Sequence, residues 1–159
     1  EELAACKGIG EGSAVWLHLI MDTVRYCDKE KTKNIKTLRT NTDFGEYAVP
    51  LFSHLPYETF YAITLNSACN ITSCKNLGKG TSAEVLVSIR ELAMTALQSN
   101  SSAVVLAHNH PSGILEPSIE DIEFTQKVND LLAALKIMLL DHIIVSENDY
   151  ISLAAKGFI

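Results

Sequence analysis

The chain has 159 residues, 47% of them hydrophobic and 20% charged, with a net charge of −6, which is enough for one globular domain with a buried core and a small appendage. No apolar run approaches the roughly 20 residues that span a bilayer, and Cys6, Cys27, Cys69 and Cys74 form no CxxC pair, which argues against a zinc knuckle or a redox motif. A soluble cytoplasmic protein with no membrane partner is expected, and eight acidic residues against three basic ones from His108 onward make that half a poor surface for phosphate backbones.

In chain order, Gly8-Ile9-Gly10 opens an apolar helix expected to reach about Tyr26. This stretch resembles the second half of a helix-hairpin-helix, whose backbone N–H groups can meet a phosphate at a helix N-terminus. Glu11 in the turn, with only Lys7 basic nearby, favours structural packing and leaves weak DNA association through this region as the lesser expectation. Residues 29–39 hold five basic residues against one acid and little apolar surface, so they read as a solvated linker. Residues 1–40 are thus expected to be the remnant of a helix-hairpin-helix-like region with its linker, and residues 41–159 a separate domain.

Phe44, Tyr47, Ala48, Leu51 and Phe52 have helical spacing that Pro50 should interrupt. Residues 58–65 are rich in β-formers, and turn chemistry at 66–70 before an extended piece at 71–77 predicts a β-hairpin. Ile89, Leu92, Ala93, Ala96 and Leu97 define an amphipathic helix. Residues 102–107 are apolar and uncharged, as expected of a strand buried on both faces. A helix opening at Ser118 carries Phe124, Val128, Leu131, Leu132 and Leu135, and residues 137–145 form a further strand, turned by Asn148-Asp149 into 150–153. The order describes an α/β fold, a mixed central sheet flanked by helices.

The most informative stretch is 108–121, His-Asn-His-Pro-Ser-Gly, then Pro117-Ser118-Ile119-Glu120-Asp121. Side chains alternate along an extended segment, so His108 and His110 point one way and Asn109 the other. Ser118 is a good N-cap, and Asp121 falls in the first helical turn. Two imidazoles and one carboxylate make a three-ligand set of the kind catalytic zinc uses, with a fourth position for water. The competing reading keeps the histidines as structural groups and Ser118 with Asp121 as a capping pair.

His108-x-His110, seven residues, Ser118, two residues and Asp121 match without a gap the pattern of the JAMM superfamily of metalloproteases, also called MPN or JAB. The strings His-Asn-His-Pro-Ser-Gly and Pro-Ser-x-x-Asp, with Gly80-Thr81, Arg90-Glu91 and Leu140-Asp141-His142, look like its RadC branch over residues 55–159. The resemblance implies a JAMM/MPN, cytidine-deaminase-like fold. It implies zinc held by His108, His110 and Asp121, and a metal-activated water attacking a peptide or isopeptide carbonyl of a peptide or protein substrate. It also implies an upstream glutamate as general acid/base, for which Glu58 is the first choice and Glu46 a weaker rival, and Ser118 as a stabiliser of the oxyanion. Asn109 is expected to tie its strand end to neighbouring backbone, and His142, which could stand directly behind the ligands, is expected rather to be a core-edge histidine with a satisfied hydrogen bond, and not a ligand. The alternatives are a DNA-associated repair or recombination accessory protein, after the family's DNA-repair label, and a non-catalytic MPN interaction module.

Overall fold

A computed structural model describes residues 3–79 and 88–159; the Gly80-Thr81 part of the resemblance lies outside the described residues. The chain forms an α/β fold. Four helices, α1 (Glu11–Thr32), α2 (Asn41–Ala48), α3 (Ile89–Gln98) and α4 (Ile119–Ala134), accompany five strands. The strands are β1 (Thr59–Leu65), β2 (Ile71–Lys79), β3 (Ala103–Asn109), β4 (Met138–Ser146) and β5 (Asp149–Ser152), in the order β2-β1-β3-β4-β5. Only β3 and β4 pair in parallel; every other neighbour is antiparallel.

Every residue of β3 is buried, because helices cover both faces of the sheet. On one face Val104 and Leu106 pack with Phe60 and Ala62 against Leu92 and Ala96 of α3 and Val128 and Leu132 of α4. On the other, Val105 and Ala107 join Tyr61, Ile63, Ile143 and Val145 beneath Phe44, Tyr47 and Ala48 of α2. Each fully buried aliphatic side chain stabilises the sheet by roughly 1.5–3 kcal/mol. β3 is paired on both sides and buried along its whole length, and the two histidines lie at its end.

The helical spacing around Phe44 resolves as α2 followed by a single 3₁₀ turn at Val49–Leu51 containing Pro50, the interruption expected of proline. The basic stretch at 29–39 is mostly exposed, as its composition predicts, but its first residues are helical and Leu38 is buried. Lysine and glutamate are good helix formers, and pairs such as Asp28 with Lys31 and Glu30 with Lys33 carry α1 to Thr32, beyond the expected end near Tyr26. The remainder joins the sheet edge: Leu38 is fully buried, its N–H donates to the Cys69 carbonyl, and the Ile71 N–H donates to the Lys36 carbonyl.

Gly10 caps α1. That helix leaves Val15, Trp16, Leu19 and Ile20 more than half exposed. Among the described residues no helix is long and apolar enough to cross a membrane.

Candidate metal centre

Three elements bring the site together. β3 runs through His108 to Asn109 and hands His110 to the following loop, whose N–H donates to the Val145 carbonyl of β4. Gly113, with φ of 88°, makes the turn, a backbone state that glycine adopts without strain. The loop returns to α4, where Ser118 and Asp121 form a capping box: the Asp121 N–H donates to Ser118 Oγ at 3.1 Å, and the Ser118 N–H donates back to Asp121 Oδ2 at 2.8 Å. The Ser118 hydroxyl also donates to Asp121 Oδ2 at 2.6 Å. The capping reading and the ligand reading are therefore compatible, since Oδ2 closes the cap and lies near His110 while Oδ1 faces His108.

The Nε2 atoms of His108 and His110 lie 2.9 Å apart. Asp121 Oδ1 is 3.1 Å from His108 Nε2, and Oδ2 is 3.4 Å from His110 Nε2. Zinc bonds of about 2.0–2.1 Å at tetrahedral angles separate ligand atoms by about 3.3–3.4 Å, so the two nitrogens fit such an ion after opening by a few tenths of an ångström, and one ligand atom from each of the three residues lies within 4.8 Å of the others. The hydrogen bonds agree. His110 Nδ1 sits 2.8 Å from the Ile114 carbonyl, which only accepts, so Nδ1 carries the proton and Nε2 offers a lone pair. Two imidazole nitrogens and a carboxylate converging on one point can be held together by a metal ion or by protons on the imidazoles.

Electrostatics around the three groups follow from that convergence. The hydrogen bond with Asp121 raises the pKa of His110 above the ordinary imidazole value, and the charge of Glu58 adds to this. Burial alone would raise the Asp121 carboxyl, but its contacts with His108 and His110 outweigh burial and hold it well below the usual carboxylate range. Phe60 stacks on His108 with ring centres 5.6 Å apart, giving the imidazoles an apolar floor.

Residues 38–158 match the family model described as RadC-like JAB domain. The chain belongs to this family. It is 31% identical over 156 residues to a UPF0758 protein of Flavobacterium johnsoniae, covering 98% of this chain and 68% of that protein. It is 33% identical over 159 residues to a UPF0758 protein of Idiomarina loihiensis, with 100% and 71% covered, and 32% identical over 159 residues to one of Bordetella avium, also with 100% and 71% covered. The RadC-like chain thus spans about two thirds of the length of these relatives.

Within this RadC-like domain the three expected ligands meet, and among the described residues they form the one group of His, Cys, Asp and Glu that could hold a metal ion. Glu58 immediately precedes β1, half-buried. Phe60 pairs with His108, and alternation puts Glu58 on the same face as both histidines. Glu46 is exposed on α2, against the opposite face of the sheet. Asn109 accepts from the Thr59 N–H at 2.8 Å and donates to the Tyr57 carbonyl at 3.0 Å, holding the backbone on both sides of Glu58.

His142 is fully buried with both ring nitrogens bonded. One of those bonds goes to His108, which favours the reading that places His142 behind the ligands over the core-edge one. Thr125 is a residue that sequence reasoning passes over. Its one signal is a polar residue set between Phe124 and Val128 on the buried stripe of α4.

Proposed function

We propose that this RadC-like domain is a zinc-dependent hydrolase that cleaves a peptide or isopeptide bond in a peptide or protein substrate. The observation that carries the reading is the pair of imidazole Nε2 atoms 2.9 Å apart with the Asp121 carboxylate beside both. Zinc, when bound, lowers the pKa of a water toward neutrality and polarises a carbonyl.

The remaining tasks belong to the chain. His108, His110 and Asp121 hold the ion from two rigid elements, a buried strand and a capped helix. Glu58, whose charge is felt at His110, takes the proton of the attacking water and delivers it to the leaving amine. Ser118 steadies the oxygen that gains charge, using the hydroxyl that at rest holds Asp121. A cleft of about 320 Å³ lined by Asn109, His110, Pro111, Leu55 and Val145 reaches the site at His110 but is not lined by His108, Asp121 or Glu58.

The test is metal analysis after stripping and reloading, combined with a screen of peptide and isopeptide substrates. Stoichiometric zinc in the native protein, its loss in His108→Ala, and a Glu58→Gln variant that keeps zinc but does not hydrolyse are expected. A His108→Ala variant retaining full zinc overturns the ligand set. A zinc-loaded protein that cleaves nothing in a broad screen replaces the hydrolase with a non-catalytic module.

A further inference from the structure

Behind the ligands lies a buried chain of hydrogen bonds that runs from β3 through β4 to α4. His108 Nδ1 is 2.8 Å from His142 Nε2, His142 Nδ1 is 2.6 Å from Thr125 Oγ1, and Thr125 Oγ1 is 2.6 Å from the carbonyl oxygen of Asp121. His142 is 0% and Thr125 1% exposed, so water does not compete for these positions.

The far end of the chain sets the direction of every proton in it. A backbone carbonyl has no hydrogen to give, and two oxygens 2.6 Å apart repel unless a proton lies between them. The single hydroxyl hydrogen of Thr125 therefore points at Asp121. Thr125 Oγ1 is left as an acceptor, so the His142 proton sits on Nδ1. The His142 ring is buried with His108 and Thr125 as its bonded partners and no carboxylate among them, so it is neutral, which leaves its Nε2 as a lone pair. That lone pair is satisfied by a proton on His108 Nδ1, and the second nitrogen of His108 is freed.

We propose that Thr125 and His142 are positioning residues that fix the tautomer of His108, with its proton on Nδ1 and its Nε2 lone pair turned toward His110 and Asp121. His110 reaches the same state through one backbone carbonyl, whereas His108 is set by a relay that begins at the carbonyl of Asp121 itself. Two ligands are thereby coupled: the residue that supplies the carboxylate also terminates the hydrogen-bond chain that orients the imidazole. Partners that donate to or accept from a ligand's remote nitrogen fix its orientation and basicity, and their loss typically weakens metal binding by about 10–100-fold. The inference rests on the metal-site reading for its consequence, but the proton positions belong to the protein alone.

The decisive experiment reads ring-nitrogen chemical shifts and couplings of all five histidines in ¹⁵N-labelled protein, with and without added Zn²⁺, alongside Zn²⁺ affinity by competition with a chelating dye. His142 is expected to be neutral with Nδ1 protonated in both states, and His108 to carry its proton on Nδ1. The near-isosteric Thr125→Val should lose the His142 Nδ1–H pattern and bind Zn²⁺ about 10–100-fold more weakly, while Thr125→Ser restores both. A native His142 protonated on Nε2 overturns the relay without any variant. So does a folded Thr125→Val with unchanged shifts and affinity. If the native protein takes up no divalent metal while His142 shows the expected pattern, the relay stands and the metal-site reading falls.

Discussion

Asn109 accepts a hydrogen bond from the backbone N–H of Thr59 at 2.8 Å and donates one to the Tyr57 carbonyl at 3.0 Å, so one amide spans the two neighbours of Glu58. The residue between the histidines thus fixes the start of β1 while its neighbours face the candidate metal site. Asn109→Ala leaves the Thr59 N–H without that acceptor and is expected to destabilise the fold by about 1–3 kcal/mol. It should retain zinc and lose hydrolysis more than stability. Asn109→Asp places a carboxylate against the Tyr57 carbonyl and should be worse than Ala. Thermal melts with zinc analysis check this, and loss of zinc in Asn109→Ala contradicts it.

Ser118 separates two roles by substitution. Replacing an N-cap serine with alanine destabilises a helix by about 0.5–2 kcal/mol, and with glycine by only a few tenths. Both changes remove the hydroxyl that holds Asp121. Equal loss of hydrolysis in Ser118→Ala and Ser118→Gly, against unequal melting temperatures, is the expected pattern. Activity that simply follows stability argues for the cap alone.

Zinc should reverse the pH dependence of the cluster. In the metal-free protein His110 is raised by Asp121, so its stabilising contribution is fully present below the unfolded value of about 6.5 and is lost as pH rises through the folded value. Asp121 is lowered, so its contribution is present above about pH 3.9 and disappears as pH falls through the folded value. The apo cluster therefore stabilises most between these limits. Zinc requires neutral imidazoles, and the gain in melting temperature on adding it should be larger near pH 8 than near pH 6. Equal gains at both pH values contradict the assignment.

Gly45 sits in α2 where a Cβ would lie 2.1 Å from Tyr150 Cε2 of β5. Glycine to alanine ordinarily stabilises a helix interior, but here overpacking reverses the sign. Gly45→Ala should destabilise by about 1–3 kcal/mol, and pairing it with Tyr150→Leu should recover part of that. Denaturant unfolding of the two variants decides it; a more stable Gly45→Ala refutes the contact.

The ligand stretch was legible because two short-range rules, strand alternation and helix capping, place His108, His110, Ser118 and Asp121 without knowledge of the rest of the chain. The order of α and β elements followed from periodicity in the same way. Residues 29–39 misled because composition reports polarity and not direction: Lys36 and Arg39 flank a Leu38 that turns inward against the hairpin. Thr125 and the bond that decides between the two readings of His142 depend on α4 crossing β4, a contact between residues far apart in sequence. The position of Glu58 opposite the histidines likewise depends on β1–β3 register, which no single segment encodes.

Asp121 closes the first turn of α4, ends the hydrogen-bond chain from His108, and offers an oxygen to the centre. Fraying of that one helical turn, the sort of local opening that proteins undergo well below global unfolding, therefore withdraws a ligand, releases a cap and frees an imidazole to rotate in a single event. For an ion held as proposed, the exchange rate would be tied to the opening rate of a helix end, and its residence time would become a property of secondary structure.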